Sequence, residues 1–144
     1  MLRNMMLVSA VAMMVSGPAL ARDRTGDLLA RMMSGGPMLD EPELSKRIAE
    51  AEKHPLGSKE NPVRVEMPQG QREYLSSLRC SDGSVPSFSR NGNLGMGIYM
   101  SMLDDYVVDC GSAAPGQVHV VMDMYFPAHK ESRPVPGFTI EMAP

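Results

Sequence analysis

Apolar and polar positions change rhythm along this chain, and the changes divide it into three stretches. Residues 5–15 are an almost unbroken apolar run, residues 25–54 place apolar side chains at helical spacing, and beyond residue 63 alternation dominates. Leu28, Leu29, Met32 and Met33 fall at i, i+1, i+4 and i+5 with Thr25 available as a cap, which predicts a short helix over 25–33. Ser34-Gly35-Gly36-Pro37 then reads as a linker. Asp40-Glu41-Pro42-Glu43 supplies a cap, a first-turn proline and a capping-box glutamate, so a second helix starts there and stops near His54, before Pro55 and Gly57. Val63, Val65 and Met67 alternate with Arg64 and Glu66 as in a half-buried strand. Tyr74, Leu75 and Leu78 share one face of a helix over 69–79. Residues 85–90 predict an edge strand, because Pro86 cannot donate to a central ladder. Residues 98–102 read as the entry to a further strand. Residues 105–110 and 117–126 are the clearest strands, and Phe138, Ile140 and Met142 make the last. The expected class is α+β: N-terminal helices followed by a mainly antiparallel sheet, with one disulfide.

The first stretch changes the picture of where the protein works. Arg3 precedes the apolar run, Ser16-Gly17-Pro18 breaks it, and Ala19-Leu20-Ala21 offers the small-x-small pattern of a signal-peptidase site. The expectation is a secretory signal over residues 1–21, cleaved near Ala21, and a periplasmic or secreted product. An apolar run of about eleven residues is too short to cross a bilayer, which needs roughly twenty, and no other segment is apolar enough, so no membrane span is expected in the mature form. Residues 22–39 form a helical arm and linker, and residues 40–144 a single domain. Cys80 and Cys110 are the only cysteines, and in an oxidising compartment they pair with each other. Without a C-x-x-C or a third thiol, a redox or metal-binding pair is the weaker alternative. Acidic residues exceed basic ones, 17 to 14, and the excess lies after residue 100. A nucleic-acid partner would want a basic face, which is missing.

Three segments, HPLGSKENPVRV (54–65), MDMYFPAH (122–129) and PVPGFTI (134–140), resemble segments of small exported bacterial proteins that carry no assigned activity. The resemblance runs from His54 onward. It implies a common fold and export and carries no catalytic residues over.

Candidate chemistry lies in four places. Gly92, Gly95 and Gly97 give G-x-x-G-x-G, the reverse of a dinucleotide loop, with a strand expected after it. A turn, a bulge or close packing explains the glycines, and a ligand-facing loop using Arg90 and Tyr99 is the alternative. Methionine is abundant, with ten after residue 21, while tryptophan is absent. Met96, Met100, Met102, Met122 and Met124, with His119 and His129, carry two readings: core filling in place of aromatic residues, or a soft site for Cu(I). In the main hairpin, a register in which paired residue numbers sum to 228 sets Asp109 beside His119 and Asp105 beside Asp123. Such a face is solvated, binds a partner, or serves metal binding or catalysis. His129-Lys130-Glu131 lies in a proline-flanked loop and offers an imidazole and a carboxylate two residues apart.

The reading that results is a non-catalytic binding domain. Its partner is a protein or envelope component, met through Arg90, Tyr99, Asp105, Asp109, His119 and Asp123 and through the loops at 90–97 and 126–137. No cofactor is expected. An envelope hydrolase using His129 with Asp123 or Glu131, and with His119 as a further candidate, is the alternative. A copper or divalent-metal binder is the third.

Overall fold

Asp40 opens the helix that leads into the sheet. Its carboxylate accepts from the Glu43 backbone N–H at 3.0 Å and caps helix α1 (Glu41–Ala51), with Pro42 in the first turn. The computed structural model describes residues 35–141, together with Gly26, Leu29, Ala30, Arg31 and Met33, which are helical. The expected signal peptide, most of the expected arm helix, and Met142 lie outside the described residues.

Seven strands and a second helix follow: β1 (Val63–Glu66), α2 (Met67–Ser77), β2 (Leu78–Arg79), β3 (Ser87–Met96), β4 (Met102–Asp109), β5 (Gln117–Asp123), β6 (Tyr125–Lys130) and β7 (Thr139–Ile140). Five of them form one sheet in the order β3-β4-β5-β1-β6, and β2 pairs with β7. Among the described residues β1 pairs with β5 in parallel and the other pairings are antiparallel. The class is therefore α+β with a mainly antiparallel sheet, and Cys80 is bonded to Cys110 across 30 residues. No helix among the described residues is long and apolar enough to cross a membrane.

Each face of the sheet is covered by one helix. On one face, Tyr74, Leu75 and Leu78 of the α2 region pack on Val63, Val65, Tyr106, Val108, Val120 and Met122 to form the main core. On the other, Leu44 and Ala51 of α1 pack on Tyr99 and Phe126 in a smaller cluster. Strand alternation sends Arg64, Leu103 and Asp123 to this second face, because they are register partners of one another.

Two expectations are corrected. The β4–β5 register sums to 226: Asp105 is opposite Val121, Val107 opposite His119, and Asp109 opposite Gln117. A two-residue slip keeps every side chain on its face, so alternation alone cannot choose between the two registers. Residues 98–101 are not strand entry either. They form the turn between β3 and β4, and the glycines lie in and beside β3. The ladder shifts register between Arg90 and Gly92 and again between Asn93 and Gly95, where Gly95 has a φ of +80°. A Cβ on Gly97 would sit 2.6 Å from Leu103. Bulges and close packing, with no helix following, account for all three.

Candidate functional site

A half-open groove of about 830 Å3 lies among the described residues. It runs along α2, past the end of β1 and β6, to Arg79 and Glu141 beside the two-stranded ribbon. Helix α2 begins with Pro68 in its first turn and turns Gln69, Glu73 and Ser76 outward while Tyr74 and Leu75 go inward. Strand β6 supplies the opposite wall. Its pairing with β1 jumps from Lys130 at Val65 to Tyr125 at Glu66, so residues 126–129 bulge from the ladder, with Ala128 at a φ of +58°. That bulge turns Phe126 into the second core and brings His129 and Glu131 to the groove.

Most of the ionisable groups around the groove are committed. Glu131 accepts from Arg133 Nε and Nη2, both at 2.9 Å, and from the Arg133 backbone N–H. Burial pushes its carboxyl up, but the Arg133 hydrogen bonds outweigh burial and hold it below the usual range. Arg133 also reaches Glu52, which accepts from Arg64 at 3.2 Å as well. Tyr74 Oη donates to the Arg133 carbonyl at 2.9 Å, and Arg79 pairs with Glu141 at 2.8 Å. The side chains of Lys130 and Glu66 make no hydrogen bond or ion pair among the described residues. His129 differs again. Its ring stands 6.1 Å from Phe126, its Nε2 is buried with no partner among the described residues, and burial, with Arg64 nearby, pushes its pKa down.

Behind the groove, on the α1 face, lies a buried polar cluster. Arg64 is stacked 5.7 Å from the Phe126 centroid and 6.0 Å from that of Tyr99, and the two rings meet edge to face at 5.1 Å. Asp123 has no exposed surface; Ser101 Oγ donates a short hydrogen bond to it and the Tyr125 backbone N–H donates at 3.0 Å. Burial raises its pKa against those two bonds. Arg64 Nε, Tyr99 Oη and Asn61 Oδ1 have no partner among the described residues.

The residues singled out from sequence are thus distributed among several places. His129 and Glu131 meet in the groove. Asp123 is on the opposite side of the sheet from α2 and takes no part in it. Tyr99 and Asp123 lie wholly inside the fold. Asp105 is buried and accepts from Asn91 at 2.7 Å and bonds His119 Nδ1 at 2.9 Å, with the imidazole outside. Arg90 is half-exposed and holds Asp104 at 2.6 Å, and Asp109 caps Gly111. Sequence reasoning did not find Arg64, Glu52, Arg133 or the α2 wall; the available signal was an arginine set between two valines in a strand. No group of three or more His, Cys, Asp or Glu side chains among the described residues could hold a metal ion. No family model matches the chain, and no curated protein or solved structure is similar to it at a significant level.

Proposed function

We propose that the chain is an exported, non-catalytic binding domain that receives a protein or envelope component along the groove between α2 and β6. The groove itself carries the reading: it is concave and large enough for a side-chain-bearing segment. Of its charged side chains, Arg79, Glu141 and Glu131 are spent on ion pairs rather than poised for chemistry. Export is supported by the disulfide and by the leader-like sequence of residues 1–21. The contact surface is then the groove wall, with Lys130 and Glu66 as free charges at its rim, and not the acidic sheet face.

A photocrosslinking amino acid at Gln69 or Ser76, both exposed groove positions, tests this in the native compartment. A discrete adduct is expected from these sites and not from Gln117, at the far end of β5. The adduct should vanish when Ser76→Trp fills the groove beside the probe at Gln69. Equal labelling from all three positions, or none from the groove, overturns the reading.

A hydrolase remains the second reading, because His129 and Glu131 share this groove. Against it, Glu131 is held by Arg133, and no hydrogen bond joins His129 to a serine or threonine among the described residues. Ser77 Oγ donates to the Tyr74 carbonyl instead. Turnover of an envelope ester or peptide that disappears in His129→Gln would establish it.

A further inference from the structure

The methionines that sequence alone groups together are separated by the fold. Met122 is fully buried and Met124 packs on the main core. Met96, Met100 and Met102 are 57, 42 and 40% exposed, all at the free end of the β3–β4 hairpin. Met96 and Met102 are direct partners on its last rung, so their side chains leave the same face of the ribbon. Met100 stands in the turn between them with a φ of +58°.

The turn is held from beneath. Gly97 donates to the Ser101 carbonyl at 2.8 Å and accepts from the Met100 N–H at 3.1 Å. Tyr99 is fully buried against Phe126, Ser101 is bonded to Asp123, and Arg47 Nη1 donates to the Ile98 carbonyl at 2.7 Å. Inward residues thus fix the backbone, and the outward ones are the three thioethers. Packing does not explain them, since they cover no core. Isolated exposed methionines also occur, such as Met67 at 59%. Three in the spacing M-x-x-x-M-x-M on one anchored hairpin end make a different arrangement.

We propose that Met96, Met100 and Met102 form a thioether site for one soft monovalent cation, Cu(I). Thioether sulfur is a neutral, polarisable donor that selects Cu(I) over the hard divalent ions. Three such donors within seven residues at one hairpin end satisfy a low coordination number without a thiolate, and both cysteines are tied up in the disulfide. An anchored turn lowers the ordering cost of binding. The proposal is independent of the groove reading.

Competition between the disulfide-intact protein and a chromogenic Cu(I) chelator, under ascorbate and without oxygen, reads the affinity directly. Ag(I), which needs no reductant, provides a second titration with the same donors. One ion per chain is expected. Met96→Leu, Met100→Leu and Met102→Leu should each weaken binding about tenfold or more, the triple variant should abolish it, and Met67→Leu should leave it unchanged. Leucine keeps the apolar character of the hairpin end. A surface that serves only as an apolar docking patch would therefore be indifferent to these changes and would take no ion. No Cu(I) or Ag(I) uptake by the parent protein, or equal uptake by the triple variant, overturns the proposal. The exposed positions make folding of the variants a modest demand, and the single variants stand alone if the triple one fails.

Discussion

The two faces of the central sheet are built on opposite plans. The face under α2 is apolar, and its buried polar groups are paired: Tyr106 Oη donates to Gln71 at 3.0 Å, and Gln71 donates to Asp104 at 3.0 Å. The face that α1 covers buries an arginine, two aspartates and a tyrosine hydroxyl, and leaves buried polar atoms without partners among the described residues. The same five strands support both, so strand propensity does not separate them. The difference lies in what each helix offers. Helix α2 and the residue after it present Gln71, Tyr74, Leu75 and Leu78 at i, i+3, i+4 and i+7, a full stripe. Helix α1 buries only Leu44 and Ala51, and the acids and arginines around it complete the contact.

The comparison is broken most forcefully from the α2 side. Leu75 is completely buried in the main core, so Leu75→Ala should cost about 3 kcal/mol and lower the denaturant midpoint with little change in slope. If chemical denaturation shows less than about 1 kcal/mol, that face is not the stabilising one. The same method sharpens the contrast with a pair of matched substitutions. Tyr74 Oη donates to the Arg133 carbonyl, and Tyr99 Oη has no partner among the described residues. Tyr74→Phe should therefore destabilise by about 1 kcal/mol, while Tyr99→Phe should be neutral or stabilising, because it removes an unpaired buried hydroxyl. Equal losses in both would mean that Tyr99 has a partner after all.

The apolar plan was legible in the sequence and the polar one was not. The cap at Asp40, the α2 stripe, the edge position of β3 and the Cys80–Cys110 bridge all follow from local chemistry. The β4–β5 register did not, because shifts of two residues leave alternation intact and only the tertiary fit chooses. Arg64 and Glu66 looked alike as the polar side of a half-buried strand. Burial of Arg64 depends on β1 lying between β5 and β6 under α1, which is long-range information. Of the candidate site, His129 and Glu131 were found as a motif; the α2 wall facing them, far away in sequence, was not.

Asp123 tests the polar plan with a smaller effect. Its folded pKa is raised, so its contribution is fully present below the unfolded value of about 3.8 and is lost as pH rises through the folded value. At neutral pH the ionised, buried carboxylate works against folding. Asp123→Asn keeps one acceptor for the Tyr125 N–H, and the Ser101 hydroxyl can rotate to accept from the new amide. The variant should melt above the parent protein at pH 7, and the gap should close toward pH 4. A lower melting point for the variant at every pH would assign Asp123 a structural need for charge.

The smallest effect belongs to His129, where the two plans meet. Arg64 and Arg133 disfavour its protonation, Glu131 favours it, and burial decides the balance toward the neutral ring. The sign here is opposite to that of Asp123. With the folded pKa below the unfolded value of about 6.5, stability is present above 6.5 and is lost as pH falls through the folded value. Glu131 and Glu52, both held below the usual carboxylate range, add a second loss at lower pH, beginning below the unfolded value of 4.5. Melting temperatures should therefore decline in two steps on acidification, and His129→Gln should remove only the upper one. An unchanged upper step in that variant would take the titration away from His129 and would leave the groove free of any proton-linked group in that range.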